Sequence, residues 1–145
     1  MDPDVTLAEL TARLARAGAA LAVHTLAGGL AGLPPAREQI GDATYAAKLE
    51  RFELEVDWQR DATYIARLTR LERAWTVFRG KRMVIKEAIA APGSQADVRP
   101  GTVDSSSGHL VVQAGSGRIE LMSLQMEGRA TLGATEWLRG ARIIP

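Results

Sequence analysis

The stretch "PGTVDSSSGHLVVQAGSGRIELMSLQ", residues 100–125, decides how the chain folds. Short apolar runs alternate with clusters of glycine and serine, a pattern that predicts three short strands joined by tight turns. Within it, "GSGR" at 115–118 looks like a phosphate loop only superficially, because no helix follows; a hairpin turn fits better. Working back, "AWTVFR" (74–79) and "KRMVIKEAIA" (81–90) are also strand-like and are separated by Gly80. Five short strands with tight turns predict a small antiparallel barrel or sandwich. Working forward, "GATEWLRG" (133–140) predicts a closing helix of one or two turns.

Upstream the period lengthens. Residues 6–27 predict a helix that opens with a capping box, Thr6 to Glu9, with Val5 and Leu10 at the staple positions. Leu7, Leu10, Leu14, Ala17 and Leu21 form its narrow apolar stripe, and Gly28-Gly29 ends it. Such a helix is marginal without a partner surface. Residues 28–47 read as a connector broken by Gly32, Pro34, Pro35 and Gly41, and stiffened by the proline pair. Residues 60–73 predict a second helix, apolar at Ala62, Ile65, Leu68 and Leu71, with Arg60, Arg67, Arg70 and Arg73 on other faces.

The chain has 145 residues, 46% apolar and 24% charged, which is ordinary for a soluble globular domain. It has no cysteine, which excludes disulfides and thiolate metal sites. The first residues, Met1-Asp2-Pro3-Asp4, are acidic, unlike a secretory signal, and no apolar run approaches the roughly 20 residues of a membrane span. The expectation is a soluble, cytoplasmic protein with no membrane and no metal partner. The net charge is only +1, yet residues 58–90 hold eight Lys/Arg against three Asp/Glu, while residues 1–57 hold five against nine. The middle of the chain is therefore a basic block.

Six pieces, in order, carry a family resemblance: "TYAAKL" (44–49), "VDW" (56–58), "GKRMVIKEA" (80–88), "PGTV" (100–103), "GHLVVQAGSGRIELMSLQMEGR" (108–129) and "ATEWLRG" (134–140). Together they resemble the C-terminal part of the methionyl-tRNA formyltransferase family, with residues 5–40 similar to the helix and connector that close its catalytic domain. The chain departs from that pattern in three places: "ERAWTVFRG" is compressed around Trp75, Gln59 follows Asp57-Trp58, and Gly133 precedes the last helix.

The resemblance implies an α+β fold: an N-terminal helix and linker, then a small antiparallel OB-fold-like β-barrel with flanking helices. It divides the chain into residues 1–43, a remnant of the catalytic domain, and 44–145, the OB-like domain. Family members move a formyl group from 10-formyltetrahydrofolate to the Met carried by initiator tRNA. Their catalytic Asn and His precede an S-L-L-P-x-x-R-G loop, with an Asp further on. These 145 residues contain no Asn and no such loop. Formyl transfer needs donors on the developing oxyanion and a base for the ammonium proton, held rigidly. The expectation is a non-catalytic portion with no cofactor of its own, partnered by initiator tRNA and by a separate catalytic N-terminal half. Two other readings stay open: a protein-interaction module that docks such a half through the 6–27 helix, and the C-terminal domain of a folate-dependent nucleotide-sugar formyltransferase.

The basic block is either a solvated mixed-charge face or, as the resemblance implies, an RNA-facing surface. Its candidates are Lys48 at the joint, Arg60, Arg67 and Arg70 on the second helix, and Arg79, Lys81, Arg82 and Lys86 around the first strand pair. Trp58, Trp75 and Trp137 read as core anchors ahead of base-stacking platforms. Asp57 reads as a local hydrogen-bonding residue. His24 and His109 read as structural or solvated, with no metal-ligand spacing around them.

Overall fold

A computed structural model describes residues 4–91, 93 and 97–141; Met1, Asp2 and Pro3 of the acidic start lie outside that set. The first helix, α1, spans Leu7–Leu26. Its capping box is formed as the sequence predicts: the Glu9 amide donates to Thr6 Oγ1 (3.3 Å) and the Thr6 amide to Glu9 Oε2 (3.1 Å). The connector that follows is exposed and irregular apart from a 3-10 turn at Leu30–Gly32. A second 3-10 turn, Arg51–Leu54, has no counterpart in the sequence-based expectation; it buries Leu54.

The second helix, α2, is shorter than expected, spanning Ala62–Thr69. Asp61 is its cap, accepting from the Tyr64 amide at 2.8 Å, so residue 60 stays outside. Asp57 builds the turn before it, accepting from the Gln59 amide at 2.9 Å. At the other end the amides of Arg70, Leu71 and Glu72 each donate three residues back, and Glu72 turns left-handed (φ 56°), which stops the helix before 73.

Six strands follow among the described residues: β1 (Trp75–Phe78), β2 (Lys81–Ala91), β3 (Val103–Asp104), β4 (Leu110–Gln113), β5 (Arg118–Met126) and β6 (Thr131–Gly133). The sequence reading finds five; β6 is too short to show a period. All pairings are antiparallel, in the order β1-β2-β5-β4-β3, with β6 alongside the later half of β5. The sheet curls into a half-barrel, the α+β, OB-like architecture expected. A third helix, α3 (Ala134–Ala141), packs against β5 and β6.

A register shift between Ile85 and Ala88 lets the sheet curl. Ile85 pairs with Leu124 and Ala88 with Leu121, so Lys86 and Met122 are extra on their strands. Strict alternation would put Ile85 and Ala88 on opposite faces; the irregularity returns both to the core. Ile65 of α2, Ile85, Leu110, Ile119, Leu121 and Leu124 make the fully buried centre. Trp137 closes it, edge-on to Phe78 with ring centroids 5.0 Å apart.

Candidate nucleic-acid interface

The eight sequence-derived cations fall into four places. Lys48 lies exposed on the connector just before the Arg51–Leu54 turn. Arg60 and Arg67 are exposed, on the side of α2 away from buried Ala62, Ile65, Ala66 and Thr69. The Arg60 guanidinium sits 4.3 Å from the Tyr64 ring centroid, and Arg67 follows Tyr64 at i+3, so the three form a row. Arg70, at the helix end, pairs with Asp4 at 2.6 Å and thereby ties α1 to α2.

Arg79, Lys81 and Arg82 cluster at the β1–β2 hairpin. Arg79 (φ 49°) and Gly80 (φ 74°) are its two turn residues, both left-handed, as a type I′ turn requires. Arg79 lies 5.1 Å from the Phe78 ring and donates to the Ala141 carbonyl (2.9 Å) at the end of α3. That contact caps α3, a structural task beside any role in binding. Lys81 is exposed. Lys86 occupies the extra position of the register shift, and its Nζ donates to the Glu72 carbonyl at 3.2 Å, closing the end of α2.

Electrostatically the set is under-compensated. Lys48, Arg60, Arg67, Lys81, Arg82 and Lys86 have no carboxylate partner among the described residues. Unpaired cations interleaved with aromatic rings suit sequence-independent contact with a polyanion.

One residue escapes the sequence reading. Arg51 places its guanidinium 5.8 Å from the Trp75 ring centroid, and Arg82 lies 5.1 Å from the same ring. Arg51 is flanked by Glu50, Glu53 and Glu55, so summing charge along the chain hides it. Trp75 is accordingly not the core anchor expected: it is half-buried beneath these guanidiniums, outside the central cluster. Trp137 and Trp58 do pack as expected, Trp58 against Gly101 with its Nε1 donating to Thr76 Oγ1 at 3.2 Å.

Elsewhere the chemistry is sparse. His109 Nδ1 lies 2.6 Å from Glu120 on the exposed face, and no cluster among the described residues is placed to hold a metal. The hollow between β5, β6 and α3 is lined by Met126, Leu132 and Trp137, with Arg129 and Glu136 as its charged groups among the described residues.

Residues 48–142 match the family described as formyl transferase, C-terminal domain. The chain belongs to that family. The methionyl-tRNA formyltransferase of Streptomyces coelicolor is 34% identical over 149 residues, covering 97% of this chain and 47% of that protein. Its counterpart in Thiobacillus denitrificans is 37% identical over 140 residues, covering 93% and 45%. This chain thus spans a little under half the length of these formyltransferase relatives and corresponds to their C-terminal part. A HypX variant from Aquifex aeolicus shares the fold with a TM-score of 0.63 at 16% identity, covering 85% of this chain and 22% of that one. HypX in complex with tetrahydrofolic acid gives 0.52 at 18% identity, covering 63% and 17%.

Proposed function

We propose that these residues form the tRNA-contacting C-terminal part of a methionyl-tRNA formyltransferase, residues 44–145 being the contact domain and 1–43 the tail of the catalytic one. Formyl transfer from 10-formyltetrahydrofolate belongs to an N-terminal part of the kind the relatives carry outside the matched region. The observation that carries this reading is the row of uncompensated cations and aromatics on α2 and the β1–β2 hairpin. Each guanidinium that meets a phosphate displaces condensed counterions, so affinity depends steeply on salt. Titration of initiator tRNA tests this: affinity is expected to fall by about 10³-fold or more between 50 and 200 mM salt if some six cations engage. Absence of binding at low salt removes the reading. A formylation assay on charged tRNA is expected to show no turnover with these residues alone, and turnover overturns their non-catalytic role.

A second observation supports docking to that catalytic part. No residue of α1 is buried. Of the fifteen exposed large apolar side chains among the described residues, eleven lie between Leu7 and Phe52, including Leu14, Leu21, Ile40 and Tyr45. The half-barrel covers its own core, whereas α1 and the connector present apolar surface that a neighbouring domain would bury.

A further inference from the structure

Arg51, Trp75 and Arg82 form a group that the basic block does not announce. We propose that the two guanidiniums, set on the Trp75 ring, grip phosphodiester groups of an RNA backbone where the joint meets the first hairpin. The proposal rests on the tRNA-contact reading and names the part of the surface that holds the backbone.

The ring is fixed first. Trp75 Nε1 donates to the Arg51 carbonyl at 3.0 Å, and the Trp75 carbonyl accepts from the Val56 amide at 2.8 Å. The joint and the hairpin are thus bonded to each other through one residue. Both guanidiniums lie within cation–π range of that ring, at 5.8 and 5.1 Å. A guanidinium held over an aromatic ring rather than against a carboxylate keeps N–H groups for a ligand, and its planar fork matches phosphate oxygens.

Neither cation is neutralised. Glu53, the acid within the Arg51–Leu54 turn, accepts from the Glu50 amide at 2.7 Å, and neither arginine has a carboxylate partner among the described residues. Arg82 Nε is buried without a hydrogen-bond partner, so its position on the ring is kept at a cost in stability. Two like charges held over one ring also repel each other, and an anion bound by both relieves that repulsion. Lys48, exposed and with no carboxylate partner among the described residues, precedes Arg51 by three residues on the joint and adds a third cation to the series. A series of this kind fits a chain of phosphates better than one carboxylate. With two guanidiniums held over its ring, Trp75 orients the cations, and contacts of this kind to phosphates are indifferent to sequence.

The test is a salt-dependent titration of uncharged initiator tRNA against the 145-residue chain and three double variants. R51Q/R82Q is expected to lower affinity about 10- to 100-fold and to reduce the log–log salt slope by roughly two. R13Q/R16Q removes the same charge at exposed positions of α1, outside the Arg51–Trp75–Arg82 group, and is expected to change affinity less than about threefold. If R51Q/R82Q behaves like that control while the unaltered chain binds, the proposal fails and the tRNA reading stands. If the unaltered chain shows no binding, both fail. R51K/R82K keeps the charge and is expected to recover most of the slope; failure to recover it would assign the loss to packing on Trp75 and overturn the proposal.

Discussion

A Cβ built on Gly115 would lie 1.9 Å from the carbonyl oxygen of Gln59. The β4–β5 turn and the residues before α2 meet here through backbone alone. The Gly115 amide donates to the Arg60 carbonyl (2.9 Å), and the Ala62 amide to the Ser116 carbonyl (2.9 Å). Any side chain at 115 pushes the start of α2, with Arg60 and Tyr64, away from the sheet. Gly115→Ala is expected to destabilise the fold by about 3 kcal/mol, the upper end of overpacking costs, and chemical denaturation measures it. A change under about 0.5 kcal/mol would show that the two segments separate freely.

The Asp104 carboxylate is held below its ordinary value chiefly by the Ser106 hydroxyl (2.7 Å) and amide (3.0 Å); desolvation opposes them, and Arg118 (2.8 Å) assists. A depressed folded value means that the contribution to stability is complete above the unfolded value of 3.8 and is lost as pH falls from there through the folded one. The gap in thermal midpoint between the unaltered chain and Asp104→Asn is therefore expected to be constant above about pH 4.5 and to shrink below it. A gap independent of pH down to about pH 2.5 would remove the hydrogen-bonding account.

The fold was legible where local chemistry governs it. Thr6 and Glu9 announce α1 because a capping box needs only four residues, and Gly80 with its flanking apolar runs announces the first hairpin. What stayed hidden depends on distant partners. The register shift at Lys86 requires Met122 across the sheet, so Lys86 reads as a surface cation when it in fact bonds to the end of α2. Arg51 and Trp75 are 24 residues apart and meet only because the Val56 amide bonds to the Trp75 carbonyl. β6, three residues long, carries too little pattern to be seen at all.

Ile85 sits at that register shift with no exposed surface, while Val77 on the neighbouring strand is 57% exposed. The two differ in what truncation leaves behind. Ile85→Ala opens a cavity between α2 and the sheet and is expected to cost about 2–5 kcal/mol. Val77→Ala leaves only solvent where the methyl groups were, and its effect is expected within about 0.5 kcal/mol. Denaturant midpoints with unchanged slopes check both. Equal effects would mean that the face occupied by Arg82 and Val77 is buried in solution.

α1 is tied to the rest of the described residues at its start: the Leu7 amide donates to the Arg70 carbonyl at 2.9 Å, and Asp4, just before the helix, pairs with Arg70 at 2.6 Å. Beyond that anchor, Leu14 and Leu21 are 62% and 65% exposed. A helix of 20 residues with no buried side chain is close to its own melting balance. Amide hydrogen exchange is therefore expected to show Leu14–Leu26 opening at near-zero free energy, while the amides of β2 and β5 exchange only by global unfolding. Leu14→Glu with Leu21→Glu is expected to leave the unfolding midpoint unchanged, because neither side chain contributes to the core. Adding the catalytic part of a relative as a separate polypeptide is expected to raise protection along α1, and the double variant to abolish that rise. Protection of α1 in the isolated chain equal to that of β5 would show that the helix already has its partner, either in this chain or in a second copy. The apolar strip would then not be a docking surface for the catalytic part.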